Sequence, residues 1–341
     1  MSWQRAMNSR AIALWAFALA VPLLAGAAVF AVMGADPLAA YSVMFQGAFG
    51  SWGRFSEVLV KASALSLTGL AVILAARMNL WNIGCEGQLV MGAVFATAAA
   101  LNLGDTLPPA LMLPCAALCG MAGGAVWASG PAWLRSRLGV SEIITTLLLN
   151  YVAIALMEHL YFGVWRDPAG FGFPGTAMFA EAARLPRLTG TRVHPGLLAG
   201  IAGAVLLAWA LAKTRWGYEL TVMGLGPKAA SYAGMNAARR GFWVLLFSGA
   251  IAGLAGMAEV TGIHYRLQQG VAVGYGYDGV IVACLARLHP ALATPAAVVL
   301  AAVLVGGEYL QTKMRLPSAA SLVIEAALLL SLLWLQVRKK R

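Results

Sequence analysis

The sequence predicts an all-α polytopic membrane protein. Of its 341 residues, 61% are hydrophobic and only 11% are charged, which a soluble core of this size does not need. A bilayer core of about 30 Å takes roughly 20 apolar residues per helix, and several segments reach that length almost without charge. Backbone in lipid must satisfy its own hydrogen bonds, and the alternation of barrel strands is absent from the sequence, so helices are expected throughout.

Ten apolar segments follow one another along the chain. The first follows Arg5 and Arg10 as a signal peptide would, but it is longer than the apolar core of one and is interpreted as a membrane span. A semi-polar stretch, Tyr41 to Lys61, precedes the second segment and suggests an interfacial helix. The segments are roughly 11–33, 62–80, 85–103, 109–131, 143–164, 195–212, 241–263, 273–289, 291–308 and 318–336.

The net charge of +11 is interpreted as a sign of membrane orientation. In a soluble chain it would suggest nucleic acid as a partner, but here most basic residues stand between apolar segments. Placing both termini in the cytoplasm puts most of these residues inside, as the positive-inside rule requires, and an even number of spans fits this best. No nucleic-acid partner is therefore expected.

The positions of the cysteines and histidines predict neither a metal site nor a catalytic site. The four cysteines lie in or beside apolar runs without metal-ligand spacing, and we interpret them as small buried hydrophobes. The four histidines are scattered, so neither a metal site nor a nucleophile and base for an intramembrane enzyme is predicted. These residues are Cys85, Cys115, Cys119, Cys284, His159, His194, His264 and His289.

The loop of about 214–240 is the largest predicted cytoplasmic piece. It contains GPKAASYAGMNAARR, with Pro227 at a helix-start position and then Tyr232 and Met235 three residues apart, which favours a short helix across the membrane face. Such a helix is either an ordinary connection or a docking element, because long ordered loops are usually functional.

One short pattern occurs in both parts of the chain. GCEG at 84–87 returns as GYDG at 276–279, and the two open the third and the eighth apolar segments. These positions are equivalent if the single domain, 1–341, consists of two five-helix units, about 1–190 and 191–341, the second inverted. Short, glycine-interrupted segments at matching places in inverted halves indicate the binding region of a transporter.

Glu86 and Asp278 in these elements allow two interpretations. Glycines let a backbone unwind or approach a neighbour, and a helix start offers N–H groups and partial positive charge. Each acid therefore either lines a polar pathway or has a structural role, and the two roles are compatible. In the structural role Glu86 stabilises its own helix N-terminus, and Asp278 pairs with Arg266 or caps locally. Three further acids fall in apolar segments, where an unpaired charge facing lipid is not expected: Glu158, Glu259 and Glu325.

Four motifs carry a resemblance to a known family. They are NIGCEGQ at 82–88, TTLLLNY at 145–151, YAGMN at 232–236 and GYGYDGVIVACL at 274–285. With them, nearly the whole chain resembles the membrane permeases of ABC importers for nucleosides and simple sugars, which are related to those for ribose and branched-chain amino acids. Cys85, where the family more often has an aliphatic residue, and His289, where asparagine is common, are small departures.

The resemblance implies two sets of functional residues. Part of the loop becomes a coupling helix that docks on an ATPase, with Pro227, Ala229, Tyr232, Ala233, Gly234 and Asn236 as its residues. The translocation pathway for the cargo is assigned to Asn82, Glu86, Gln88, Asn150, Tyr151, Tyr277 and Asp278. No catalytic residue is expected.

The resemblance also implies a bacterial inner-membrane subunit that works with partners. These are a second permease forming a heterodimer, a cytoplasmic ABC ATPase and an extracytoplasmic binding lipoprotein or periplasmic protein. ATP and magnesium are used by the ATPase, and no cofactor is expected on this chain. No glycine is followed by lysine in the sequence, so the chain has no P-loop and is not itself the ATPase.

Neutral nucleosides, purine nucleosides above all, or simple sugars are the expected cargo. Side-chain carboxylates and amides then act as hydrogen-bond partners of ribose hydroxyls or base edges. The alternative is an ion-coupled secondary transporter of a small polar solute, in which Glu86 or Asp278 carries protons or sodium.

Overall fold

The computed structural model describes Phe17, residues 20–317 and residues 319–340. Arg5, Arg10 and the beginning of the first predicted segment lie outside the described residues. Within the described ranges the chain is helical. These ranges contain no β-strand, and the β-type pairing in them is one isolated bridge between Gly175 and Gln268. The prediction of an all-α protein is confirmed for this part of the chain.

Thirteen α-helices make up the described chain, and short turns of other helix types join some of them. π-helical turns extend α6 over Leu160–Val164 and α10 over Val260–His264, and 3₁₀ turns cover Glu181–Ala183 and Pro290–Leu292. The helices are α1 Ala20–Val32, α2 Pro37–Phe49, α3 Trp52–Ala76, α4 Cys85–Leu103, α5 Pro109–Leu138, α6 Glu142–His159, α7 Gly196–Lys213, α8 Arg215–Leu225, α9 Pro227–Tyr232, α10 Ala237–Glu259, α11 Tyr275–Leu285, α12 Ala293–Met314 and α13 Ala319–Lys340.

The helices make this a multi-pass membrane protein. Among the described residues, 6 helices are long and apolar enough to cross a bilayer, or 7 if α1 and α2, bent by 115° at their junction, form one span. Each of the ten predicted segments contains a helix, but α11 has only 11 residues and is too short to cross alone. The ten spans and their inverted repeat therefore remain a prediction.

The stretch Tyr41 to Lys61 differs from the single interfacial helix that was expected. It contains the end of α2, a break at residues 50–51 and the first turns of α3. Helix α3 thus begins ten residues earlier than the apolar segment, because polar residues such as Ser56 and Lys61 lower hydropathy without interrupting a helix.

The described chain divides into two compact units. One consists of the described residues before residue 60 and those from 298 onwards, and the other of residues 60–297. Phe30, Met44, Leu310 and Ile324 belong to the buried apolar cluster of the first unit. Every motif of the sequence analysis lies in the second unit.

Close glycine contacts join α4, α5 and α10 in the second unit. Gly124 of α5 faces the backbone of Gly249 and Gly253 on α10, and Gly92 of α4 also meets Gly253. A Cβ at any of these four positions would overlap neighbouring backbone. Small residues let helices approach closely and gain van der Waals contact where no hydrophobic driving force exists between them.

The long connection between α6 and α7 lies along the segment that leads into α11. Its backbone N–H groups donate to carbonyl oxygens of that segment: Thr176 to Leu267 at 2.9 Å and Phe179 to Tyr265 at 2.8 Å. These bonds fix the entry to α11, where the second glycine–acid element lies.

We predict that Gly124→Ala destabilises the protein, whereas Gly130→Ala on the same helix does not. An added methyl at Gly124 meets backbone that cannot move aside, and overpacking costs about 1–3 kcal/mol. At Gly130 it meets only the Leu149 Cδ1 atom, at 3.9 Å. Thermal unfolding midpoints of the detergent-solubilised variants measure this, and equal midpoints would contradict the close packing.

Candidate functional site

The Glu86 carboxylate caps a helix that lies far away in the sequence. Glu86 is 1% exposed, and its two oxygens accept hydrogen bonds from the backbone N–H groups of Gly274, at 2.8 Å, and Gly276, at 2.6 Å. The first N–H groups of a helix have no partner within it, and Gly274, the N-cap of α11, has no side chain to supply one. Glu86, in the first turn of α4, supplies it instead.

Glycines of the second element let α11 approach α4 and α3 closely. A Cβ on Gly276 would overlap the backbone of Cys85 and Glu86, and one on Gly279 would come within 2.8 Å of the Thr68 side chain. The Thr68 hydroxyl in turn donates to the carbonyl of Tyr275 at 2.9 Å. Gly276 therefore permits close approach to the start of α4, and Gly279 permits close approach to α3. The sequence left open whether these glycines serve unwinding or close approach.

The polar residues that flank Glu86 bond to one another. The Asn82 amide donates to the Gln88 Oε1 atom and to the Ser248 hydroxyl, both at 2.8 Å, and Gln88 donates back to Asn82 at 3.1 Å. Ser248 completes the set by donating to the carbonyl of Ala71 at 2.7 Å. All three side chains are buried, so this cluster holds the turn before α4 against α10 and α3.

Asn150 joins a third motif to the other two. Its Oδ1 atom accepts from the Gly87 N–H at 2.8 Å, and its amide donates to the Ile83 carbonyl at 2.9 Å. The Tyr277 side chain lies close enough to Asn150 to interact with it. NIGCEGQ, TTLLLNY and GYGYDG thus meet at one place, which we call the polar junction: Asn82, Glu86, Gln88, Asn150, Ser248, Tyr277 and the start of α11.

Asp278 and Tyr277 differ from the rest of the junction in being only half-buried. The Lys61 ammonium, 5.8 Å from the centre of the Tyr275 ring, attracts the Asp278 carboxylate. Tyr151, by contrast, is 64% exposed and belongs to the outer surface of α6. The structure therefore brings six of the seven predicted pathway residues together, and Tyr151 lies at their exposed side, close enough to interact with Tyr277.

The residues predicted for coupling form an exposed element of their own. Helix α9 begins at Pro227, as predicted, and Ala230 is the residue that it buries. Gly234 has a φ of +76°, which allows the turn into α10, and Asn236 caps α10 by accepting from the Arg239 N–H at 2.9 Å. The predicted residues are all exposed: Pro227, Ala229, Tyr232, Ala233, Gly234 and Asn236.

Several polar contacts were missed by the sequence analysis. Ser248 and Thr68 are small hydroxyl residues inside apolar runs, and nothing in the run around either marks it as part of a junction. Glu142 pairs with Arg135 at 3.2 Å and accepts from the Trp81 N–H, also at 3.2 Å.

The acids and cysteines in apolar segments have various environments. Glu259 is buried and lies 3.6 Å from His264, whereas Glu158 is exposed near the end of α6. Cys85 and Cys284 are buried free thiols, while Cys115 and Cys119 are half-buried. The described residues contain no cluster of acids, histidines and cysteines suited to a metal ion.

The fold and the site define a class of protein: a multi-pass helical membrane protein with a buried polar junction between two helix starts. The chain belongs to the family described as "Branched-chain amino acid transport system / permease component", which matches residues 54–333. It is thus a permease component of a transport system, as the resemblance predicted.

Three relatives of the chain are named as permease proteins of ABC transporters. The chain is 38% identical to a glucose ABC transporter permease protein of Haloferax volcanii, over 91% of this chain and 84% of the relative. It is 33% identical to a guanosine ABC transporter permease protein of Bacillus subtilis, over 85% and 82%. A nucleoside ABC transporter permease protein of Lactococcus lactis is 30% identical, over 80% and 77%.

We predict that Glu86→Ala destabilises the protein, whereas Glu181→Ala, an exposed loop acid, has little effect. Removing the Glu86 carboxylate leaves the N–H groups of Gly274 and Gly276 without partners, at about 1–3 kcal/mol for each buried group. The measurement is the unfolding midpoint in detergent. A Glu86→Ala midpoint equal to that of Glu181→Ala would show that the cap does not stabilise the start of α11.

Proposed function

We propose that this chain forms half of the translocation pathway of an ATP-driven ABC importer for nucleosides, purine nucleosides above all, or simple sugars. The observation that carries the proposal is the polar junction, which brings three separated motifs of a permease to one buried place beside the half-buried Tyr277 and Asp278. The names of the relatives, which include guanosine, nucleoside and glucose permeases, support the cargo class.

Within the junction we assign two kinds of role. Glu86, Asn82, Gln88 and Asn150 have their polar groups bonded to one another and to backbone, so they position the starts of α4 and α11. Tyr277 and Asp278 are the residues that contact the cargo. A neutral nucleoside or sugar offers hydroxyl donors, and the Asp278 carboxylate accepts from them, as polar groups that fix a ligand's orientation do.

Tyr151 lines the translocation pathway from the outer surface of α6 in this proposal. Because its side chain is largely exposed, it lines the pathway only where a second permease subunit faces α6. We therefore place a second permease subunit, different from this chain, against α6, so that the two subunits enclose one pathway.

Energy comes from a partner in this proposal. Helix α9 and the turn to Asn236 dock on a cytoplasmic ABC ATPase, which uses ATP and magnesium, and an extracytoplasmic binding protein delivers the cargo. The exposed Tyr232 supports this role, since a fully exposed aromatic side chain on a short ordered helix suits an interface. The chain then lies in the bacterial inner membrane with both termini in the cytoplasm.

We predict that Asp278→Asn lowers ATP-dependent uptake of radiolabelled guanosine, adenosine or glucose in proteoliposomes that contain the complete transporter. Losing one charge-assisted hydrogen bond to the cargo costs about 1.5–3 kcal/mol, or roughly tenfold to a hundredfold in affinity. Glu181→Gln serves as the control, because Glu181 is exposed in the long loop. Full uptake by Asp278→Asn would contradict the assignment, and uptake driven by an ion gradient without ATP would favour the secondary transporter.

We predict that Tyr232→Asp uncouples the transporter. An aspartate at the proposed interface removes the aromatic contact, and truncating such an anchor costs about 2 kcal/mol or more. Phe171→Asp, at an equally exposed aromatic of the long loop, is the matched control. Cargo-stimulated ATP hydrolysis and retention of the ATPase on the purified complex are the readouts, and an effect equal to that of Phe171→Asp would contradict the docking role.

A further inference from the structure

A basic cleft lies where the end of α5 meets the start of α10. Its volume is about 490 Å³, within the range of small-ligand sites. Arg137 and Arg239 stand in its lining together with the hydroxyl of Ser136 and the amide of Asn236. Neither the polar junction nor helix α9 includes the two arginines, so the proposed function leaves them unused.

These two arginines have no acidic partner among the residues that the structure describes. Arg135 and Arg240, their near neighbours, pair with Glu142 and Glu219. Among the residues that the structure describes, Arg137 and Arg239 lie within ion-pair distance of no carboxylate. Two guanidinium groups that line one cleft without acidic partners attract an anion with several acceptor oxygens, for which the arginine fork is well suited.

The same cleft adjoins an apolar surface. Leu111, Leu118, Val126 and Trp133 are all exposed and follow one another at intervals of about two turns, so they form one stripe along α5. Trp133 ends the stripe and also lines the cleft, and Arg137 follows one turn later. Tryptophan and arginine in this order are typical of the level at which a helix leaves the bilayer core.

We propose that this cleft binds the headgroup of an anionic phospholipid, whose acyl chains lie along the α5 stripe. The phosphate accepts hydrogen bonds from Arg137 and Arg239. An apolar stripe that ends in two unpaired guanidinium groups matches the two ends of a lipid, and basic pockets at helix ends are known to favour such headgroups.

Native mass spectrometry of the full-length chain, purified with the subunits that accompany it, tests this proposal. Phosphatidylglycerol, phosphatidylcholine and inorganic phosphate are titrated separately into the wild type, Arg137→Gln/Arg239→Gln and the control Lys213→Gln/Arg215→Gln. The control removes two exposed basic residues outside the cleft. The single variants Arg137→Gln and Arg239→Gln keep the test open if the double variant fails to assemble.

We expect the wild type and the control to retain phosphatidylglycerol in preference to phosphatidylcholine. The cleft variant should bind it roughly 25-fold more weakly, about fivefold for each arginine. Equal binding by the cleft variant and the control would overturn the proposal. Binding of inorganic phosphate in place of lipid would also overturn it, because the ligand would then be a soluble anion. Loss of the ATPase from the cleft variant with lipid retained would overturn it as well, because the arginines would then pair with carboxylates of a protein partner.

Discussion

Two hydrogen bonds from the start of α11 to the Glu86 carboxylate fix the arrangement on which the site depends. They connect two segments that lie nearly two hundred positions apart in the chain. Because α11 has only 11 residues and a glycine N-cap, little within it defines where it begins. The carboxylate on α4 defines that start, and the positions of Tyr277 and Asp278, in its first turn, follow from it.

The glycines explain how a carboxylate is tolerated in so apolar a region. A buried charge is costly unless hydrogen bonds satisfy it, and here both oxygens of Glu86 accept from backbone N–H groups that would otherwise be orphaned. Gly276 permits the two backbones to approach closely enough for this geometry. Asn150 then satisfies the Gly87 N–H and the Ile83 carbonyl on either side of Glu86.

The sequence predicted the helices well where hydropathy and local signals agree. The third apolar segment coincides with α4, because the glycine-rich turn before Cys85 and Gly104 after it mark both ends. Pro227 likewise marked the start of α9. The start of α3 was misplaced, because hydropathy measures transfer into lipid and does not report where a helix begins.

The site was predicted in part, for a physical reason. The repeated glycine–acid pattern identified Glu86 and the start of α11 as related elements, but which atoms meet depends on how helices pack across long sequence separations. Ser248 and Thr68 join the site only through that packing, and their residue types carry no local signal for it. Tyr151 shares a motif with Asn150, yet consecutive residues of a helix point in different directions, so one is buried and the other exposed.

A cryo-electron microscopy structure of the assembled transporter with bound cargo tests the central claim most directly. The account predicts that the Glu86 carboxylate stays within hydrogen-bonding distance of the Gly274 and Gly276 nitrogen atoms, while Asp278 or Tyr277 contacts the cargo. A Glu86 side chain turned away from α11 and bonded to the cargo would contradict it.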